Sequence, residues 1–386
     1  MAHEHQRQVR PDFEVEATPV CSADLFSGCG GLSLGVAQAC FDLGSSLDIR
    51  LAVDFDAYAS KVYATNFPKA RIINDDIENI FDGNFGEPPT YREQKTRNEI
   101  GTLHLLVAGP PCQGHSDLNN YTRREDPKNL LYLRVIRAAE IVHPAVVFIE
   151  NVPAVLHDRN HVVDISRIRL EELGYKVDSA VLRLDNLGIP QRRRRHVLLA
   201  VHQSVSAHPS EVLSLLSESA RKVHDLRWAI GDLAEIESGT GIDNAPRASP
   251  ANRERMEWML ANNEYDLPNA RRPKCHQNEN HSYRSMYGRL RWEMPAQTIT
   301  SGFGSIGQGR YMHPDKPRAL TPHEAARIQG FPDYFDFAPM PFRDSLARMI
   351  ANAVPPQLAR CTFTEILPKL WESNWLDHPD SAMRLI

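Results

Sequence analysis

Between residues 21 and 201, short apolar runs alternate with segments of helical length. The apolar runs at 49–53, 103–108, 145–149, 177–182 and 196–201 predict strands. The segments at 57–66, 129–142 and 162–173 predict helices. In 129–142, Leu130, Leu133, Ile136, Ala139 and Ile141 approximate a three- to four-residue spacing, which places them near one helix face. Strands alternating with helices of this length build right-handed βαβ units, so an α/β fold with a mostly parallel sheet is expected. The charged stretch 83–101, with Pro88-Pro89, reads as a surface loop.

After residue 202 the alternation lapses. Loop chemistry at 238–241 and 245–250 predicts a second, smaller and irregular domain. Helical patterning returns at 321–329 and 342–353. The polar N-terminus mixes acidic and basic residues, so it reads as a loosely attached arm and not a signal peptide.

Composition adds limits. The 386 residues are 42% hydrophobic and 24% charged, as in soluble globular proteins. No apolar stretch approaches the roughly 20 residues of a membrane span, so no membrane partner is expected. The six cysteines lack paired spacing, which predicts reduced thiols and a cytoplasmic location. Cys275-His276 with His281 nearby has ligand residue types but no Cys-x-x-Cys pair, and no metal is expected. A net charge of −5 argues against overall electrostatic capture of nucleic acid. The basic run 192–195 and the arginines between 247 and 291 leave room for a local basic face.

Candidate chemistry gathers at strand ends. Ala108-Gly-Pro-Pro-Cys-Gln113 puts Cys112 just past one apolar run, and Glu150-Asn151-Val152 closes the next. In a parallel sheet both emerge at the carboxyl edge, where open α/β sheets hold ligands. Two readings stand for each: Cys112 is an inert buried thiol or an exposed nucleophile, and Glu150 is a helix cap or an acid acting on a ring nitrogen. Arg193 and Arg195 share a face of an extended segment, as a solvated face or as a clamp on an anionic or carbonyl group. Upstream, Ser27-Gly-Cys-Gly-Gly-Leu32 is a glycine turn opening a helix, and Asp54-Phe55-Asp56 ends the next strand. That pairing suits an adenosine-bearing cofactor, the acid on a ribose hydroxyl and Phe55 along the adenine; a plain structural turn is the competing reading. The spacing is not Gly-x-Gly-x-x-Gly, which disfavours NAD.

Taken in order, these residues resemble the DNA (cytosine-5)-methyltransferase family, bacterial type. Asp24-Leu-Phe-Ser-Gly-Cys-Gly-Gly31, Asp54-Phe55 and Asp76-Ile77 are similar to its cofactor motifs. Pro111-Cys112-Gln113 is similar to its nucleophile motif, Glu150-Asn151-Val152 to its acid motif, and Gln191-x-Arg193-x-Arg195 to its arginine motif. Arg318 to Glu324, Arg327 to Pro332, and Asn352-Ala-Val-Pro355 complete the series. Two positions depart: His115 stands where an aromatic is usual, and Ala351 where a glycine precedes the last motif.

The resemblance implies a Rossmann-like S-adenosylmethionine-dependent methyltransferase sheet with a smaller target-recognition domain. It implies S-adenosyl-L-methionine as cofactor, S-adenosyl-L-homocysteine as product, and double-stranded DNA as substrate, with the cytosine flipped out. Cys112 would add to C6 while Glu150 engages N3; Arg195 would hold the carbonyl and Arg193 would order the nucleophile loop. Phe26, Gly28, Cys29, Gly30, Gly31, Asp54, Phe55, Asp76, Ile77, Pro110, Asn352 and Ala353 would surround the cofactor. Gln113, Ser116, Arg123, Arg124, Arg271, Arg272, Arg289 and Arg291 would meet DNA. The expected organisation is a flexible arm at 1–20, a catalytic and cofactor-binding domain at 21–203 plus 334–386, and target recognition at 204–333. A restriction–modification or phage-defence role, a cognate restriction endonuclease and a monomer on DNA follow the same resemblance. The competing readings are a tRNA-methylating relative and a catalytically silent DNA-binding homologue.

Overall fold

The computed structural model describes residues 3–13, 19–111, 130–219, 221–236, 241–277, 285–373 and 375. Strands β1 (Val20–Leu25), β2 (Leu47–Val53), β3 (Ile72–Ile73), β4 (Leu105–Ala108), β5 (Val146–Asn151) and β6 (Tyr175–Arg183) come first. They are followed by β7 (Gln191–Arg192), β8 (Arg194–His202) and β9 (Ala296–Gln297). Helices α1 (Gly31–Asp42), α2 (Ala57–Asn66), α3 (Tyr91–Ile100), α4 (Leu131–Val142), α5 (Val162–Glu172) and α6 (Pro209–Glu218) interleave with the large sheet. Helices α7 (Leu226–Ile230), α8 (Pro250–Ala261), α9 (Pro322–Ile328), α10 (Arg343–Asn352) and α11 (Pro356–Glu372) complete the series.

Two compact units emerge. The sheet unit comprises Pro11–Leu187, Arg194–Ala220 and Val354–Ile386; the second comprises Met1–Arg10, Gly188–Arg193 and Arg221–Ala353. These breaks differ from the expected ones near 203 and 333. Helix α6 packs on β6 and so stays with the sheet, whereas α10 packs on α9 and so stays with the second unit.

The sheet order is β3-β2-β1-β4-β5-β8-β6. Pairing is parallel from β3 to β5, and β8 runs antiparallel to both β5 and β6. Every residue of β4 and β5 is buried, which is why these strands read as continuous apolar runs rather than alternating ones. The order reverses between β1 and β4, which makes the carboxyl edge there the natural ligand crevice. Helices α1 and α11 lie in close contact: a Cβ on Gly35 would stand 2.0 Å from the Pro356 carbonyl oxygen. Methionines Met256, Met259, Met286 and Met312 pack with Leu267, Tyr287 and Ile306 in a separate core in the second unit.

Two expectations are overturned. The supposed loop at 83–101 contains α3, opened by a capping box in which Thr90 and Glu93 satisfy each other's backbone N–H groups. The Glu93 carboxylate is fully buried and also accepts from Arg137, 2.7 Å away. Of the expected arm at 1–20, residues 3–7 are held in place. His5 is buried, and the carbonyls of His5 and Arg7 accept from Asp333 and Tyr334 at 3.0 and 3.1 Å. Trp228 is stacked between His3 and His224, with ring centroids 4.1 and 3.7 Å away. Among the described residues, no helix is long and apolar enough to cross a membrane.

Candidate active site

The turn after β1 is built for close approach. Phe26 and Gly28 take φ of 56° and 53°, and Gly30 takes 98° before α1 begins. A side chain at Gly30 would collide with Phe67, 2.7 Å from an ideal Cβ, so glycine is required there. Asp54, at the end of β2, organises this turn. Its Oδ2 accepts from the Gly28 N–H at 2.8 Å and its Oδ1 from the Asp56 N–H at 2.8 Å. Burial pushes the Asp54 carboxyl upward, partly offset by those two donors. Asp56 caps α2 by accepting from Tyr58 and Ala59. Asp76 caps the short turn that holds buried Ile77, accepting from Glu78 at 3.0 Å.

Asp24 is the surprise of this edge. It is fully buried, and its Oδ2 accepts from Ser33 Oγ at 2.6 Å, a hydroxyl itself 2.6 Å from the Tyr63 phenol. Its Oδ1 is buried with no partner among the described residues. Burial, opposed by those hydroxyls and reinforced by Asp54, pushes its pKa up to about 7. An orphaned carboxylate oxygen, open space over Gly28 where a Cβ would stand, and the exposed ring of Phe55 (74%) fit a cationic, adenosine-bearing group.

Beside this turn, Gly109 N–H donates to Leu25 O at 3.2 Å, and Val354 lies 3.5 Å from where a Gly109 Cβ would be. Asn151 Nδ2 donates to the Pro110 carbonyl at 3.2 Å, tying the end of β5 to the chain just before the nucleophile motif. Cys112, Gln113, Ser116, Arg123 and Arg124 lie outside the described residues. Glu150 is 7% exposed, and its Oε1 lies 2.5 Å from Arg195 Nε. Register explains the pair. Glu150 sits opposite Val197 across the β5–β8 ladder, and Arg195, two residues away, shares that face. Tyr132, in the first turn of α4, was read only as part of a helix. It is buried, its phenol oxygen has no described partner, and burial followed by the charge of Glu150 pushes its pKa far up.

Gln191 and Arg193 belong to the second unit, and the chain crosses to the sheet unit at Arg194. Gln191 Nε2 donates to Gln329 Oε1 at 2.6 Å and to Ile328 O, while its Oε1 accepts from Ile299 N–H at 2.9 Å. Arg193 is 2% exposed and donates to Ile299 O at 3.1 Å and Ala351 O at 3.0 Å. Gln329 donates to Ile350 and Ala351 carbonyls, closing the network. Sequence reasoning missed Gln329 and Ile299 as partners because nothing local marks them. Asn352, exposed, and Ala353 end α10.

Among the proposed DNA contacts, Arg289 is buried, and its guanidinium meets Pro314 O, Asp315 and the Tyr265 ring. Arg272 Nε donates to Leu267 O at 3.1 Å. Arg271 and Arg291 are exposed and stack on Trp258 and Tyr265. His276 Nδ1 is bonded to Tyr287 at 2.9 Å, and no metal-ligand cluster occurs among the described residues.

The C-5 cytosine-specific DNA methylase family model matches residues 21–368. Type II methyltransferase M1.BsuMI of Bacillus subtilis (strain 168) is 43% identical over 350 residues, covering 91% of this chain and 81% of the relative. Type II methylase M.HgiDII of Herpetosiphon aurantiacus is 33% identical over 352 residues, covering 87% and 92%. The crystal structure of S. pombe Dnmt2 methyltransferase superposes with a TM-score of 0.63 at 17% identity, covering 92% of this chain and 99% of that one, a likeness of fold alone. A family match over nearly the whole chain, carried on a seven-stranded methyltransferase sheet, settles membership: the chain belongs to the C-5 cytosine-specific DNA methylase family and is an enzyme of the DNA (cytosine-5)-methyltransferase class.

Proposed function

We propose that the chain methylates C5 of a cytosine within a short specific sequence of double-stranded DNA, using Cys112 as nucleophile, in a restriction–modification or other phage-defence setting. The observation that carries the reading is the Glu150–Arg195 pair on one face of the β5–β8 ladder, beside the segment that leads into Cys112. The bacterial Type II names of the relatives support the setting and a cognate endonuclease as partner.

The target carbon is unreachable in the stack, so the cytosine is flipped into the site. The Cys112 thiolate adds to C6, and the electron pair this pushes into the ring is stabilised by the Glu150 proton at N3. Arg195 Nη2 makes no hydrogen bond among the described residues and is available to the cytosine carbonyl. S-adenosyl-L-methionine, when bound, supplies the methyl group and leaves as S-adenosyl-L-homocysteine. Asp24, Gly28, Gly30, Asp54, Phe55 and Asp76 would hold it. Loss of the C5 proton then restores the C5–C6 double bond and expels the thiolate. Cys29 and Cys40 suit no such role, since burial pushes each thiol up to about 12.

Trapping tests the reading. In a duplex bearing 5-fluorocytosine the final elimination is blocked, so the protein should remain covalently attached through denaturation, with Cys112 in the adducted peptide. Attachment undiminished in Cys112→Ser would remove Cys112 as nucleophile. Efficient trapping by tRNA but not duplex would move the substrate to RNA.

A further inference from the structure

We infer that Arg291, stacked on Tyr265, reads a guanine in the major groove of the target sequence. This rests on the DNA-methylating reading above and deepens it by assigning one base contact. The Arg291 guanidinium carbon lies 3.7 Å from the Tyr265 ring centroid, and the side chain is exposed. Among the described residues its guanidinium makes no hydrogen bond and no ion pair.

Asp266 is ion-paired with Arg310, and Asp315 accepts from Trp292 Nε1 at 2.6 Å and faces Arg289. Asp266 and Asp315 are engaged elsewhere, and the Arg291 guanidinium makes no hydrogen bond or ion pair among the described residues. The backbone around it is pinned: Arg289 N–H donates to Tyr265 O at 2.8 Å and Leu290 N–H to Met312 O at 2.9 Å. Arg289, Leu290 and Trp292 are all buried, so only Arg291 of this segment turns outward.

A phosphate contact needs charge alone, and a flexible side chain supplies it. A guanidinium held against an aromatic ring, with no hydrogen bond or ion pair to a described residue, is placed for bidentate recognition of guanine O6 and N7. Arg271 on Trp258 is also exposed, but it precedes no comparably buried segment. It serves as the phosphate-type comparison.

The test uses wild type and the Arg291→Lys, Arg291→Gln and Arg271→Ala variants. Each methylates a library of duplexes randomised around one cytosine, and conversion sequencing reads the products. Wild type should require guanine at one position. Arg291→Lys and Arg291→Gln should lose that preference by about 10- to 100-fold while keeping the preferences at other positions. Arg271→Ala should slow all sequences alike and weaken the salt dependence of binding. Undiminished guanine preference in both Arg291 variants, or a loss spread evenly over all sequences, would overturn the inference. No duplex methylation by wild type would instead sink the parent reading.

Discussion

At Glu150 a carboxylate and a guanidinium meet in a nearly closed site, their side chains 9% and 12% exposed. In the proposed chemistry the carboxyl acts as a proton donor, and such groups contribute about 10²- to 10⁴-fold. Glu150→Gln is therefore expected to lower the single-turnover methylation rate by that much, with DNA affinity changed only a few-fold. A rate within three-fold of wild type would remove Glu150 from the chemistry. Arg195→Lys should fare little better than Arg195→Ala, because a single ammonium nitrogen lacks the rigid guanidinium fork that can face Glu150 with one nitrogen and a cytosine carbonyl with another. At this scale the sequence was most legible where residues sit at strand ends: Glu150, Asp54 and Asp76 lie where the apolar runs stop. It was least legible where function depends on distant partners. Asp54 grips the Gly28 amide, 26 residues away, and Arg193 grips the Ile299 and Ala351 carbonyls. No local pattern announces such long-range bonds.

Among the elements, α3 teaches the most. Pro88-Pro89 and a run of charges suggested a loop, yet Thr90-Tyr-Arg-Glu93 is a capping-box sequence that could have signalled the helix. Its Glu93 also accepts from Gly83 N–H and pairs with Arg137, which is 2% exposed on α4. Removing a partner from a buried pair strands the remaining charge, at a cost of about 3–5 kcal/mol. Arg137 retains Glu140, 2.6 Å away, so Glu93→Ala should fall at the lower end, about 3 kcal/mol. Urea unfolding would read it, and a loss below about 1 kcal/mol would contradict the assigned role. Helix α2 was legible to the residue because Asp56 caps it and Ala57–Asn66 keeps one period. The reversed strand β8 was not, because a buried strand reads the same in either direction.

Across the whole molecule, burial keeps several histidines neutral. It lowers His5 to about 3 and His104, His196 and His313 to about 4. Cys21 N–H donates to His104 Nδ1 at 2.9 Å, consistent with a neutral ring. Unfolded histidines titrate near 6.5, so between about pH 6.5 and 4 the unfolded chain binds protons the folded one refuses. Stability should therefore fall as pH drops through that window. His323 acts in the opposite sense: burial disfavours its charge, but hydrogen bonds to Asp333 and Asp243 more than offset this and raise its pKa. Its contribution is complete below about pH 6.5 and fades as pH rises through the raised value. Among the described residues six histidines are depressed (His3, His5, His104, His196, His224 and His313), against His323 and Asp24, whose raised carboxyl pKa favours the folded chain as pH falls, and Tm should drop from pH 7.5 to 5.0. A Tm that rises over that interval would contradict this balance. His196→Leu should flatten the acid limb, since both ring nitrogens of His196 are buried without a described partner. The most direct measurement of the central claim is bisulfite sequencing of DNA from a host without its own cytosine methylation, expressing wild type or Cys112→Ala. Methylation at one short motif, present with wild type and absent with the variant, is the expected result. A motif equally methylated in both, or none in either with folded, cofactor-binding protein, would contradict it.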